Sequence, residues 1–505
     1  MLSIMYDGLV AYRKTGGAPG ATLVPNLAQT LPVPTDGGRT YRFQLRSGLR
    51  YSDGSPLRAS DFRASMERLL GLNGVSAPPF YGGILGAERC SAQTGRCDLR
   101  EGIEIDDAAA TVTIHLSAPD PDLLAKLALP FAFVLPADAP APAEPVTDLN
   151  RFGEVGVYKI PGTGPYMAAS FDPSDELRLE RNPYFKVYSP DAQPDGYPDR
   201  ILIRILGDGN AGDLRSAVGE VAAGKSDWTS GLSRDEVERL AVQNPAQLHT
   251  APLGGVQLLM LNTRKRPFSD VRARRALAYA TDRNHLAELA GGELVARPTC
   301  QVLPPAVPGY RPYCPYTVNP SAGIWSGADV ARARHLAEAS RTLDERVAIG
   351  IPPNDPYQAQ IGKYVAHVLR QVGYRASVRE EGDVFAAMLA RDSHIDAVRV
   401  GWIQDFAGAS NFVEPLFTCA ANAEGGVNVS QFCSPRLDDL VSQARRTRDA
   451  AEAADAWARI DRVLADEAPA VPLFALREAD FVSKRVGNYV FNPQFGVLLD
   501  QMWVR

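Results

Sequence analysis

No stretch of the chain approaches the roughly 20 consecutive apolar residues that a membrane-spanning helix needs. The most apolar region, Leu123 to Leu135, is broken by Lys126 and Pro130, which excludes a transmembrane helix there. An excess of basic charge is also lacking: 53 Lys and Arg stand against 59 Asp and Glu, a formal net charge of -6. Nucleic acid and anionic membrane need a positive field to be attracted, so neither is an expected partner. Arg272, Arg274 and Arg275 read as the solvated face of one helix. Histidine is scarce, and the six present (His115, His249, His285, His335, His367 and His394) have no close ligand spacing. There is no G-x-S-x-G elbow and no H-E-x-x-H helix, so hydrolysis has no carrier, and neither a metal nor a cofactor is expected. The opening segment MLSIMYDGLVAYRK has no basic n-region and carries Asp7 where an apolar run should continue, so it does not read as a signal peptide.

What is present describes a globular chain too long for one core. At 505 residues, with 45% hydrophobic and 22% charged residues and with Gly and Pro scattered, it should form two or three domains. The six cysteines fall as three local couples, Cys90 with Cys97, Cys300 with Cys314, and Cys419 with Cys433. Those spacings do not match C-x2-C zinc sites, and each couple spans a Gly- or Pro-bearing loop that a disulfide could close, which implies an oxidising compartment. Sequence does not fix the connectivity, and unrelated buried thiols are the alternative.

The stretch IDAVRVGWIQDFAGASNFVEP, Ile395 to Pro415, is the candidate ligand site. Ala397 to Ile403 is apolar apart from Arg399 and leads into a polar, Gly-containing loop, the pattern of a buried strand opening into a crevice. Asp405 sits at that mouth between Trp402 and Phe406, placed to meet a cation between apolar walls. The alternative is a loop aspartate that caps a turn. Elsewhere Tyr41, Phe43 and Leu45 alternate as a strand, and Ser52-Asp53-Gly54 turns the chain. Ser60 then caps a helix in which Phe62, Met66, Leu69 and Leu70 share one face before Gly71 ends it. Ile361, Val365, Val368, Leu369 and Val372 line one face of a helix stopped by Gly373, and a strand resumes at Arg375 to Val378. Two phosphate-loop patterns also occur. Gly207 to Gly212 fits G-x-G-x-x-G, but Asp208 would put a negative charge in the cradle, so a dinucleotide-dependent enzyme is the least favoured reading. Gly219 to Ser226 satisfies the Walker A spelling but reads as helix up to Ala223, with Gly224 as its stop.

The run from Thr40 to Leu70, with its F-x-L-R-x-G and Y-S-D-G-x-P-L-x-A-x-D-F elements, resembles the extracytoplasmic solute-binding proteins of family 5, the oligopeptide- and dipeptide-binding components of ABC importers. Asp106 to Pro130, the GTGPY segment and E-R-N-P turn of Gly162 to Pro183, Leu261 to Arg283, and Asp466 to Phe474 resemble further family blocks in the same order. The resemblance implies an α/β, bilobal periplasmic-binding-protein-like fold of class II, with an extra inserted domain and mixed sheets flanked by helices. Lobe I would be 1–43, 156–255 and 484–505, the inserted domain 44–155, and lobe II 256–483. Family members have several tens of residues before the segment that this chain opens on, including a first strand of lobe I, so a fragment or a sensor domain of a longer protein is an alternative and an unpaired sheet edge is expected.

By the same resemblance the chain would be a monomeric receptor, not an enzyme, outside the cytoplasm, that passes a solute to an ABC permease and its ATPase subunits. W-x-x-D-[YF] maps onto Trp402, Asp405 and Phe406, with the aspartate holding a peptide's α-ammonium. Gly401 and Ile403 would pair with an extended peptide backbone, and Asn411, Phe80 and Tyr81 would line the wall. The loop after Asp405 lacks the family's usual Asp-Pro pair. Oligosaccharides, opines and metal chelates are alternative solutes, as is a ligand-sensing role in a regulatory protein.

Overall fold

The computed structural model describes residues 2–71, 78–90, 96–139, 160–172, 174–206, 211–422, 426–447 and 449–505. The chain divides into two units, Met1–Thr229 with Val482–Arg505, and Ser230–Phe481. In the first unit β1 (Val10–Tyr12) and β2 (Leu23–Pro25) form an antiparallel pair. β3 (Thr40–Gln44), β4 (Ile103–Asp106) and β5 (Thr111–His115) form a sheet in the order β3-β5-β4. Helices α1 (Ala59–Gly71), α2 (Pro78–Tyr81) and α3 (Leu123–Leu127) belong to the same part of the chain. A further sheet, β6-β7-β8, is built from Tyr166–Phe171, Glu176–Arg181 and Arg200–Arg204, followed by α4 (Ala211–Ala222) and β9 (Trp228–Thr229).

Polar contacts deep in this unit explain motifs that periodicity does not. Asp7 is 1% exposed and accepts hydrogen bonds from Asn26, Thr163, Tyr188 and Gln193 at 2.6–2.9 Å. Four donors offset the desolvation of a buried carboxylate, which otherwise costs several kcal/mol. Thr163 reaches Asp7 because the backbone on either side of it lies against Ile4 and Met5. A Cβ on Gly162 would fall 2.0 Å from the Met5 carbonyl oxygen, and one on Gly164 2.5 Å from that of Ile4. Only glycine fits there.

Some local expectations need correction. Helix α1 starts at Ala59, so Ser60 lies in its first turn and is not the cap. The buried Asp61 instead reaches back to the Arg58 N–H (2.8 Å), the reciprocal half of a capping box. The Walker A spelling falls on the end of α4, with Gly224 at φ +70° just beyond it, so its amides do not open a helix toward phosphate. Of the G-x-G-x-x-G pattern, 207–210 lie outside the described residues.

The second unit alternates helices and strands around one mixed sheet. Its elements are α5 (Arg234–Gln243), β10 (Leu248–Leu261), α6 (Val271–Ala280), α7 (Arg283–Leu289), β11 (Ala296–Pro298), α8 (Val330–Ser340), β12 (Arg346–Ile351), α9 (Pro356–Val372), β13 (Arg375–Glu380), α10 (Val384–Leu389), β14 (Ala397–Ile403), α11 (Ser410–Phe417), α12 (Pro435–Arg446), α13 (Ala450–Glu467) and β15 (Ala470–Val482). The strand order is β11-β15-β10-β14-β12-β13. Leu259, Leu261, Val347, Ile349 and Ala397 enter one core, while Val256, Leu258, Met260, Ala348, Val398 and Val400 enter another. Side chains alternate across a strand, so these are the two covered faces of one sheet, which is why β14 reads as a continuous apolar run.

Residues 230–255, expected in the first lobe, belong to the second unit, because β10 runs unbroken from Leu248 and pairs with β15 from Leu248↔Phe481 to Met260↔Ala470. Arg274 is also not on a solvated face. It is 5% exposed and donates to the carbonyls of Glu467 and Phe268 at 2.8 and 2.9 Å. Helix α9 follows its pattern closely. Asp355 caps it through the Gln358 N–H, all five expected apolar residues are buried, and Gly373 ends it at φ +119°. Burying those five side chains contributes about 2 kcal/mol each before entropy is counted. Disulfides join Cys90 to Cys97, Cys300 to Cys314 and Cys419 to Cys433. No helix among the described residues is long and apolar enough to cross a membrane.

Candidate functional site

Strand β14 carries the candidate site at its carboxyl end, within the second unit. On one side it pairs antiparallel with β10 along its whole length, from Ala397↔Leu261 to Ile403↔Gly255. On the other side β12 pairs with it only at Ile349↔Ala397 and Gly350↔Val398. From Arg399 onward that edge meets no strand among the described residues. The Gln404 N–H donates to the Gly254 carbonyl (3.1 Å), and the Asp396 carbonyl accepts from the Asn262 N–H (2.8 Å). Backbone groups alternate in direction along an antiparallel strand. The even-numbered residues of β14 therefore bond to β10, and the N–H and C=O groups of Gly401 and Ile403 point to the uncovered edge.

Asp405, two residues past the strand, is exposed and held by one buried side chain. Asn411, at the start of α11 and 4% exposed, accepts from the Asp405 N–H (2.8 Å) and donates its Nδ2 to Asp405 Oδ2 (2.9 Å). The Asn411 carbonyl accepts the Trp402 indole N–H (2.8 Å). Asn411 is thus the bracket that sets the carboxylate and the indole, and its amide is spent on that task; it is not a wall residue. Phe406 is only 3% exposed and lies inside the loop, its ring 2.9 Å from where a Cβ on Gly408 would be. It supports the loop from beneath and does not face solvent beside Asp405. Trp402 is half-buried against the core under β14, and Ile403 is 51% exposed.

The two residues expected in the PPFYGG loop lie in the first unit, on the helical turn α2. Tyr81 has no exposed surface, and its hydroxyl donates to the Lys126 carbonyl (2.7 Å). That side chain packs the unit and leaves nothing for a ligand to touch. Phe80 is half-buried and meets the rings of Tyr81 and Phe131.

Arg399 is the site residue that sequence reading passed over as an interruption of an apolar run. Its Nε donates to Gln358 Oε1 (2.8 Å), its Nη1 donates to Gln257 Oε1, and its guanidinium stands 5.2 Å from the centre of the Tyr357 ring. Burial pulls its pKa below the ordinary guanidinium value, while Tyr357 and Asp355 oppose that through space. None of its hydrogen-bond partners among the described residues is a carboxylate. Gly401 makes this cluster possible, since a Cβ there would lie 2.6 Å from Gln257 Nε2. The usable signal in the sequence was a single cation within an otherwise apolar strand.

An uncovered strand edge thus lies along β14, with a guanidinium at its inner end and a carboxylate at its outer end. It can hold an extended, amide-bearing zwitterion by backbone pairing and by both of its charges. Residues 22–424, most of the chain, match the family described as "Bacterial extracellular solute-binding proteins, family 5 Middle". The dipeptide-binding protein of Escherichia coli (strain K12) is 26% identical over 524 aligned positions, covering 97% of this chain and 87% of that one. The glutathione-binding protein GsiB of the same organism is 24% identical over 479 positions, covering 93% and 84%. Among solved structures, clavulanic acid biosynthesis oligopeptide binding protein 2 matches with a TM-score of 0.84 at 24% identity, over 100% of this chain and 90% of that one. Haemophilus influenzae OppA in complex with RPPGFSPFR matches at 0.67 and 20%, over 99% and 93%. These structures share the fold, and the family match takes in β10, β12, β13 and β14, the strand that carries the site. This chain belongs to the bacterial extracellular solute-binding proteins of family 5.

Proposed function

We propose that this protein is the extracytoplasmic receptor of an ABC importer and that its solute is a short peptide lying along the edge of β14. The observation that carries this reading is the uncovered edge itself, where Gly401 and Ile403 offer N–H and C=O groups between Arg399 and Asp405. A peptide running antiparallel to β14 would put its α-ammonium at Asp405 and its carboxylate toward Arg399. Backbone pairing is blind to side chains, so a receptor built this way accepts many sequences while both end charges select for free termini. No bond is made or broken, and delivery to a permease and its ATPase subunits follows from the family. Relatives named for dipeptide and glutathione binding support a peptide over a sugar or a chelate.

Asp405→Asn tests the assignment, because it keeps the shape and loses the charge. Once a bound peptide covers the site, removing one partner of the desolvated pair costs about 2 to 5 kcal/mol, a loss of about 30- to several-thousand-fold in affinity. Calorimetric titration of the wild type and the variant should show that loss, and N-acetylated peptides should bind the wild type poorly. Equal binding of free and acetylated peptides by the wild type would reduce Asp405 to a turn residue.

A further inference from the structure

At the opposite end of the same strands is a pocket that the peptide reading does not use. It has a volume of about 670 Å³ and is lined by Lys265, Arg266, Arg346, Arg370, Arg375 and Arg379, with Asp396 as its one carboxylate. Arg346 and Arg375 are the first residues of the parallel strands β12 and β13, and Asp396 immediately precedes β14, while Arg379 is the fifth residue of β13, so the pocket starts at the amino ends of these strands and runs along β13. Lys265 is paired with Asp396 (2.9 Å), and Arg266 with the neighbouring Glu345 (2.6 Å). Asp396 also accepts from the Ala348 N–H (2.7 Å). His394 at the rim is paired with Glu381. Of the other four cations, Arg370 donates to the Ala376 carbonyl and Arg375 to that of Asp344. The side chains of Arg346 and Arg379 make no hydrogen bond or ion pair with any described residue, and Arg379 acts on Asp396 only through space.

Register makes this arrangement costly for the free protein. Arg346 stands directly opposite Arg375 across the β12–β13 ladder, and Arg379 is two strand positions beyond Ser377 on the face that Arg375 shares. Like charges directly opposite on a sheet repel. A chain of net charge -6 has carboxylates enough to neutralise them, yet the pocket's one carboxylate, Asp396, is already paired with Lys265. The geometry points to an exogenous counter-charge. Planar guanidinium forks match phosphate oxygens two at a time, whereas an ammonium presents only a point charge. We propose that this pocket binds an anion carrying two or more phosphate groups. Such chemistry has two sources, a soluble oligophosphate or the headgroup of a diphosphate lipid such as cardiolipin.

The test uses the full chain and the variant Arg346→Gln/Arg379→Gln, with inorganic pyrophosphate as the soluble probe at constant ionic strength. Saturable binding to the wild type, at least tenfold weaker in the variant, supports the site and assigns a soluble anion. If pyrophosphate does not bind, co-sedimentation with cardiolipin-containing vesicles but not with pure phosphatidylcholine, lost in the variant, supports the site and assigns the lipid headgroup. Binding to neither probe overturns the proposal, as does equal binding by variant and wild type. Thermal melts without anion check folding, and the variant should melt no lower than the wild type because repulsion has been relieved. If the double variant is unfolded, Arg346→Gln and Arg379→Gln singly carry the same comparison. Peptide affinity is unaffected whether the pocket binds phosphate or not, so failure here leaves the β14 reading untouched.

Discussion

Arg399 and Asp405 are separated by an edge of β14, and in the proposed binding mode each would meet a different end of a peptide. If Arg399 receives the carboxylate, Arg399→Gln should weaken binding of free peptides by about 2 kcal/mol or more while leaving C-terminally amidated peptides nearly unchanged. Titration with both peptide forms measures the difference directly, and an equal loss for both would make Arg399 a packing residue. A second test belongs to Asp461, which is fully buried on α13. It accepts from Gln301 Nε2 (2.7 Å) and from the backbone N–H groups of Val302 (3.2 Å) and Leu303 (3.3 Å). Burial pushes its pKa up from 3.8 to about 7, against the pull of those donors. The folded state therefore holds the Asp461 proton more tightly than the unfolded chain does. The resulting stabilisation is complete below about pH 4 and is lost as pH rises through about 7. Asp461→Asn should flatten that part of the pH dependence of Tm while losing the Gln301 bond, a constant cost of about 1 kcal/mol. A variant with an unchanged pH profile would count against this origin.

Elements of the second unit are tied down where the chain leaves regular structure. Cys300–Cys314 closes a loop of 14 residues that begins just after β11, and Gln301 and Leu303 within it bond to α13. Loop-closure entropy gives such a bridge about 3 kcal/mol. Replacing both cysteines by serine should lower unfolding free energy in denaturant titration by that order, and no change would mean that the bonds to Asp461 alone hold the loop. Much of the element structure was legible beforehand. β14 spans the expected Ala397 to Ile403, and α9 ends on Gly373, since alternation, helical period and a left-handed stop are local properties. The misplaced cap at Ser60 shows the limit. Asp61 outcompetes it because Tyr51 and the Ala137 N–H also bond to that carboxylate, and those contacts come from outside the helix.

At the scale of the whole molecule, the chain enters the first unit twice. Its last segment supplies Asp500, which forms a buried ion pair with Lys14 (2.9 Å), the two side chains 0% and 1% exposed. Asn492 Nδ2 from the same segment donates to the carbonyls of Arg13 and Thr15 at 2.9 and 2.8 Å. Deleting residues 483–505 leaves Lys14 buried without its counter-charge, a loss of about 3 to 5 kcal/mol from that pair alone. Calorimetry of the truncated chain should show one transition moved down while that of Ser230–Phe481 persists. A single unchanged melt would contradict the division into units.

The sequence by itself determined the alternation of helices and strands, the local spacing of the six cysteines, the strand that leads to Asp405 and the family to which these blocks belong. Each is written in residues close together in the chain, where period, spacing and turn chemistry act. Only the tertiary structure decided that Tyr81 and Phe406 face inward, that Asn411 holds the carboxylate it was expected to sit beside, and that Arg399 is a cation without a carboxylate hydrogen-bond partner. It also decided that residues 230–255, with α5 and the start of β10, belong to the second unit. Those outcomes depend on which distant residue supplies the partner or the cover. Asn411 is six residues from Asp405, but Gln257 is 142 residues from Arg399, and no local pattern records a hydrogen bond across that distance.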